Sequence, residues 1–363
     1  MKKPALYLQI HQQLLQEVLA GQWPAGACLP TEAELAERYG TSRITSRHAL
    51  SLLADEGYIK RVQGKGSVVV EKPSRRPMIG LALSGFDALF GMDFIKGVFH
   101  KAEELGYLVV MQTGYQVREQ EGERLNVLAE AGVQGIISVP LYDSMHYTDR
   151  LYELSEKMPL VFADRRVAGL SVPLVCTDNV MGTRKLYARL CRNGYQRIGF
   201  ISSKPDSTAV SDRLKGYMLE ASAGDRVPEK RRILTSVRST LPGLGTEDNR
   251  AYDIARIEQY LQDNRDIQAI IAHTYQVAKL VQRALLNSGL RVPEDCALVC
   301  FDAPRISGEP AVYAHMRQNE YEMGMRAVRC LIDQLNGKAV PENNYVDAVF
   351  IEGESYLRRA FGE

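Results

Sequence analysis

Apolar positions recur at helical spacing in the first fifth of the chain. Tyr7, Ile10, Leu14 and Val18, flanked by Leu6, Leu15 and Leu19, predict an amphipathic helix over residues 5–20 that Gly21 stops. In the next stretch, LPTEAELAERYGTSRITSR (29–47), Thr31 followed three residues later by Glu34 forms a capping box. A second helix therefore begins at Thr31, carries Leu35, Ala36 and Tyr39 on its apolar side, and ends at Gly40. Ser42 caps a third, which places Arg43, Thr45 and Arg47 in its first turn and a half and runs through Ala49, Leu50, Leu53 and Ala54 to Gly57. The period then changes. Tyr58–Val62 and Ser67–Val70 read as strands around the turn Gln63-Gly64-Lys65-Gly66, a two-stranded wing whose bare Gly64 backbone and Lys65 tip suit a close approach to phosphate. Two guanidinium groups and a hydroxyl at the start of a helix are what a helix-turn-helix presents to duplex DNA.

Glu71–Pro77, charged and proline-bounded, reads as a linker, with residues 1–71 a first domain, 72–77 the link and 78–363 a second region. Beyond it strands and helices alternate. Met78–Ser84, Tyr107–Thr113, Gly135–Pro140 and Leu160–Arg165 are predicted strands, with helices over Asp93–Leu105 and Gln120–Ala131. The pattern repeats with strands at Arg197–Ser202, Arg231–Ser236, Ala269–His273 and Cys296–Asp302. The helices between them cover Met181–Asn193, Ser211–Ala223, Asn249–Gln262 and Val277–Ser288. The fold class is α/β: a winged helix-turn-helix followed by two lobes with parallel sheets, in which a ligand sits between the lobes at the strands' carboxyl ends. Asp164 and Arg165 end one strand, Asp178 lies at the passage between the lobes, Arg213 lies on the cleft-side helix of the second, and Asp302 ends the last strand. Carboxylates and guanidinium groups of this kind suit a polyhydroxylated ligand, with Phe90 or Tyr275 as an apolar face.

Composition narrows the field. The 363 residues are too many for one compact core, and 45% apolar with 25% charged residues is ordinary for a globular protein. The net charge of +1 conceals an asymmetry, because residues 1–76 hold 11 Lys and Arg against 7 Asp and Glu while the rest holds 34 against 37. A basic module followed by a mildly acidic one agrees with a nucleic-acid partner for the first. No apolar run spans a membrane and the N-terminus does not read as an export signal, so a cytoplasmic location is expected. The six cysteines are scattered apart from Cys296 and Cys300, a pair that reads as buried thiols rather than a metal site. Neither a nucleophile elbow, a phosphate loop nor an HExxH motif occurs, and Gly243 and Gly245 lack the setting of a dinucleotide fingerprint; no enzyme, metal or cofactor is expected.

From Gly21 to Val69, GxxxxGxxLPTEAELAxxxGTSRxTxRxALxxLxxEGYIxxxxGKGSxV resembles the winged-helix domain of the GntR family of bacterial regulators. That resemblance implies Arg43, Thr45, Arg47 and Gly64 as DNA contacts, and Thr31, Ser42 and Lys65 complete the DNA-facing set. Two positions depart from the family: Ala33 stands where an Arg contact is common, and Ser46 where an apolar residue is usual. Residues 78 to about 358 are similar to the LacI family effector domain, through KGVFHKAEELGY, PLVFADR, VCTDNVMGTRKLYARLCRNGYQRIGFIS, SDRLKGY and RQNEYEMGMRAVRCLIDQLNGK. Its effector contacts fall on Phe90, Asp164, Arg165, Asp178, Arg213, Asp302 and Gln318, while Thr274 and Tyr275 replace the family's Asn-Asp pair. The same resemblance implies a first lobe of about 78–177 plus 309–338, a second of about 179–302 plus 340–358, and three crossovers forming a hinge. Chains joining both modules form the arabinose-repressor group of sugar-responsive regulators. Its members imply a homodimer on a palindromic operator, most simply a repressor released by a small sugar-like effector. The alternatives are an activator, a non-sugar metabolite as the effector, or a solute-binding receptor.

Overall fold

The computed structural model describes residues 5–70, 76–83, 91–113, 121–140, 148–205, 207–223, 229–304 and 311–356. The chain divides into two units, Met1–Arg76 and Pro77–Glu363. Most of the predicted linker and Phe90 lie outside the described residues.

In the first unit, α1 (Leu6–Leu19), α2 (Glu32–Arg38) and α3 (Arg43–Asp55) are followed by β1 (Ile59–Val62) and β2 (Gly66–Val69). Ile10 and Leu14 of α1 pack on Leu35, Ala49, Leu50 and Leu53, and Ile59 and Val69 of the wing close the same core. The strands pair antiparallel from Ile59 with Val69 to Val62 with Gly66. Gly64 and Gly66 take φ of 78° and 88° in the turn, a region in which a Cβ is strained. Glu17, buried on α1, accepts from Trp23 Nε1 at 3.0 Å and from Arg38 Nη2 at 2.6 Å, and so fixes α1 to α2.

The second unit contains two six-stranded sheets. The first has the order β13-β7-β6-β5-β3-β4 and is parallel throughout. It comprises β3 (Met78–Leu83), β4 (Leu108–Thr113), β5 (Ile136–Val139), β6 (Leu160–Ala163), β7 (Leu174–Thr177) and β13 (Asn343–Val346). The second has the order β14-β12-β11-β10-β8-β9. Its members are β8 (Ile198–Ser203), β9 (Ile233–Val237), β10 (Ala269–Ala272), β11 (Ala297–Phe301), β12 (Ala314–Arg317) and β14 (Val349–Ile351). Only β14 runs antiparallel to its neighbour.

Helices cover both faces, which explains why the strands read as continuous apolar runs. In the first lobe Ile79, Leu81 and Leu83 face α4 (Met92–Glu104) and α11 (Glu320–Leu335), while Ile136, Phe162 and Leu174 face α5 (Glu121–Glu130) and α6 (Thr148–Ser155). The second lobe repeats this scheme with α7 (Asn179–Arg192) and α8 (Thr208–Ala221) on one face. On the other are α9 (Glu247–Asp263) and α10 (Tyr275–Asn287). α11 and α4 cross almost backbone to backbone: a Cβ on Gly97 would lie 2.1 Å from the Tyr321 carbonyl oxygen, and one on Gly324 would lie 2.3 Å from that of Phe94. The helix after Gln318 thus returns to the first lobe.

The lobe boundaries differ from the expectation in two places. β12, expected within the first lobe's 309–338 segment, pairs with β11 in the second sheet. β13, expected within 340–358 of the second lobe, pairs with β7 in the first. The reason is local: α11 is packed on the first lobe, and the few residues after it deliver β13 to the edge of the same sheet, so the crossover comes between Val346 and Val349. Three passages therefore join the lobes, after Thr177, after Arg317 and after Val346. Helix α6 and strands β7 and β12, short elements without a clear period, have no counterpart in the sequence-based assignment.

Candidate functional site

The first unit gathers its polar groups at the starts of α2 and α3. Thr31 donates its backbone N–H to Glu34 Oε2 at 2.7 Å and accepts from Glu34 N at 3.3 Å, completing the capping box. These hydrogen bonds hold the Glu34 carboxyl below its ordinary range. Ser42 Oγ accepts from Thr45 N at 3.2 Å and meets Thr45 Oγ1 at 2.9 Å, so the predicted hydroxyl contact is tied to the cap. Arg43 and Lys65 are exposed. Arg47 is exposed too, but its guanidinium is already engaged by Glu32, with Nε 3.0 Å from Oε2 and Nη2 3.0 Å from the same oxygen. Ser46 is fully buried and its hydroxyl has no partner.

Two residues of this surface escaped the sequence reading. Ile44, between Arg43 and Thr45, is 77% exposed, an apolar side chain off the buried stripe of α3 and of the type that contacts a thymine methyl. Its signal was present in the sequence as an apolar residue out of helical phase. Arg61 on β1 donates to the Arg47 carbonyl oxygen at 3.3 Å and to Ser51 Oγ at 3.0 Å, which ties the wing to α3. Strand periodicity gives no hint of that contact.

In the second unit Asp164 follows β6 and Asp302 follows β11, one in each lobe. Both take positive φ, 65° and 55°, the only described non-glycine residues to do so. Strained backbone at corresponding strand ends is a mark of a functional position. Asp302 accepts from Gln318 N at 3.1 Å and from Gln318 Nε2 at 2.8 Å, and Gln318 Oε1 accepts from Thr177 Oγ1 at 2.8 Å. Arg213, buried on α8, donates to Asn179 Oδ1 at 2.7 Å and to the His273 carbonyl oxygen at 2.6 Å, with its guanidinium carbon 3.9 Å from the Phe301 ring centre. Burial lowers the Arg213 pKa from the usual arginine range, while the carboxylates of Asp302 and Asp164 oppose that shift. A guanidinium so placed remains charged. Burial likewise pushes the Asp302 carboxyl up, against Arg213 and the Gln318 hydrogen bonds. Asp164 is held by Arg165, at 2.9 Å from Nε and 2.7 Å from Nη2.

Asp164, Arg165, Arg213, Asp302 and Gln318 thus form one electrostatic group where the lobes face each other. The remaining predicted contacts have other local partners. Asp178 Oδ1 caps α7 by accepting from Met181 N at 2.8 Å, and Thr274 caps α10 through Val277 N at 3.4 Å. Tyr275 packs at a tilt against Tyr313, with ring centres 5.6 Å apart and the planes at 58°. The sequence reading passed over His273 and Glu320. His273 Nδ1 is buried without a partner, and burial beside Arg213 brings the imidazole pKa down to about 3. Glu320, first residue of α11, accepts from Gly91 N at 2.8 Å. Burial and the carboxylates of Asp302, Asp93 and Asp164 raise its pKa to about 7. Cys296 and Cys300 lie in the apolar core of the second lobe. No group of metal-binding side chains occurs among the described residues.

Residues 6–69 match the gntR family of bacterial regulatory proteins, and residues 187–356 match the periplasmic binding protein-like domain. The arabinose metabolism transcriptional repressor of Geobacillus stearothermophilus is 27% identical over 346 residues, 92% of this chain and 92% of its own. The HTH-type transcriptional regulator CelR of Thermobifida fusca is 30% identical over 260 residues, covering 69% of this chain and 70% of its own. Among solved structures, a CelR–cellobiose complex superposes with a TM-score of 0.64 at 24% identity over 90% of this chain and all of that one. The lac repressor dimer bound to operator gives 0.63 at 20% identity over 78% and 96%. Fold and sites together define a ligand-responsive DNA-binding transcriptional regulator. The chain belongs to the HTH-type transcriptional regulators that join a gntR-family DNA-binding domain to a LacI-like, periplasmic-binding-protein-like sensor. Relatives over the full length are transcriptional regulators, not enzymes. No helix among the described residues is long and apolar enough to cross a membrane.

Proposed function

We propose that the protein is a cytoplasmic homodimeric repressor of carbohydrate-utilisation genes that binds a palindromic operator through Arg43, Thr45, Arg47 and the Gly64–Lys65 wing, and leaves it when a sugar-like effector enters the cleft. The observation that carries this reading is the chain of hydrogen bonds from Asp302 through Gln318 to Thr177, because it runs from a cleft carboxylate into two of the three inter-lobe passages. An effector that engages Asp302 acts on the hinge directly. Closure of the lobes then changes the spacing of the two winged helices against half-sites about 34 Å apart, and a coupling of ~1–3 kcal/mol shifts operator affinity ~5- to 150-fold. A relative named for arabinose metabolism and a cellobiose-bound neighbour support a sugar. Thr274 and Tyr275, committed to a helix cap and to ring packing, favour a second reading in which the effector is a different small metabolite. A thermal-shift screen over mono- and disaccharides, sugar phosphates and polyols, followed by duplex release with each hit, separates the two. Stabilisation by a nucleobase or an amino acid and by no polyol overturns the sugar.

A further inference from the structure

The DNA-facing surface of the first unit holds a carboxylate where only cations are expected. Glu32, first residue of α2, lies against Arg47 with Nε at 3.1 Å from Oε1 and 3.0 Å from Oε2, and Nη2 at 3.0 Å from Oε2. Arg61 Nη1 stands 3.9 Å from Oε1 of the same carboxylate, while its Nη2 bonds the Arg47 carbonyl oxygen and Ser51 Oγ. Three segments far apart in sequence, α2, α3 and β1, thereby meet at one acidic side chain. Arg47 and Arg61 nevertheless remain open to solvent, at 62% and 47% side-chain exposure, against 27% for Glu32.

The geometry has a chemical reading. Glu32 occupies the Nε–Nη2 edge of Arg47 and leaves Nη1 and the end of the fork, which is the part that reaches O6 and N7 of guanine. A guanidinium held along one edge has fewer rotamers to lose when it docks, and it points one way. The carboxylate also cancels one of two adjacent positive charges, which weakens attraction to phosphate wherever no base partner rewards it. Arg61 supplies a second guanidinium beside the same carboxylate.

We propose, resting on the regulator reading above, that Glu32 is a positioning residue that presents Arg47 and Arg61 as one paired reading head, with Arg61 a further DNA contact. Glu32 thereby trades bulk affinity for discrimination between operator and random duplex.

The test uses the full-length protein, with an operator duplex selected by that protein from a randomised pool and a random duplex of equal length, titrated by fluorescence anisotropy across a salt series. Glu32→Gln keeps the shape and removes the charge. It is expected to raise affinity for the random duplex about fivefold and to lower the operator-to-random ratio about tenfold, with an unchanged melting temperature. Arg61→Ala, on an exposed strand, is expected to make the slope of log affinity against log salt shallower by about 0.9, the loss of one phosphate contact, and it tests the reading head even if the Glu32 variant does not fold. An unchanged ratio in Glu32→Gln, or an equal loss for both duplexes, overturns the positioning role, and an unchanged salt slope and ratio in Arg61→Ala overturns the second contact. Wild-type protein that binds no duplex at all overturns the regulator reading, and this inference with it.

Discussion

Gln318 hydrogen-bonds Asp302 twice, through its backbone N–H at 3.1 Å and its side-chain amide at 2.8 Å. Asp302 belongs to the second lobe, whereas Gln318 sits in the passage toward the helix that packs on the first, so a cleft carboxylate is fastened to the hinge. Asp302→Ala is expected to erase the thermal shift given by whichever sugar or polyol stabilises the wild type. Gln318→Leu, which keeps the bulk but breaks the links to Asp302 and Thr177, is expected to cost about 2 kcal/mol of stability in urea denaturation. A full thermal shift in Asp302→Ala means the effector contacts lie elsewhere.

Arg47→Ala is expected to cut discrimination between operator and random duplex by about 1–3 kcal/mol, the share of one base contact, and to leave effector-induced stabilisation intact. Anisotropy on the two duplexes and a parallel melt report these separately. Retained discrimination removes Arg47 from the reading surface.

Ser46, in the first turn of α3, carries a buried hydroxyl without a partner. Removing it takes away an unmet desolvation cost and adds helix propensity, so Ser46→Ala should stabilise the first unit by about 1 kcal/mol. Chemical denaturation followed by Trp23 fluorescence measures it, and a destabilised variant would mean that the hydroxyl is satisfied in solution.

Two titrating groups of the sensor oppose each other. Glu320, with its pKa raised to about 7, holds its proton more tightly folded than unfolded, so it subtracts stability as pH climbs from about 4.5 to 7. His273, with its pKa lowered to about 3, subtracts stability as pH falls below about 6.5, because the unfolded imidazole takes up a proton that the folded one refuses. Glu320→Gln removes the first effect. The variant should gain about 2 kcal/mol over wild type above pH 7, after allowance for partial exposure, and the gain should vanish near pH 4. Urea midpoints from pH 4 to 8 show it; a gain that persists at pH 4 points to packing instead of charge.

Where the sequence carries a strong period or a specific cap, it prescribes the structure closely. The capping box at Thr31, the Ser42 cap and the glycine turn of the wing appear as the residue spacing demands. So do the long strand-helix alternation and the strand-end aspartates. Other features escaped because they depend on partners distant in the chain. Glu32 looks like an ordinary first-turn acid until Arg47 and Arg61 are folded against it. His273 reads as the end of a strand rather than as a buried ring beside Arg213. The placement of β12 and β13 turns on which lobe receives each short strand, and four residues of ambiguous pattern do not encode that.

That interleaving has a consequence for the order in which the protein is made. The first unit has all its core residues once the chain has emerged to Val69, and can close while the ribosome is still translating. Neither sensor lobe has that freedom. The first sheet waits for Asn343–Val346 and the second for Val349–Ile351, so both are finished almost together, late in synthesis. A nascent chain therefore carries a complete first unit for most of its translation before either sheet of the second unit is finished.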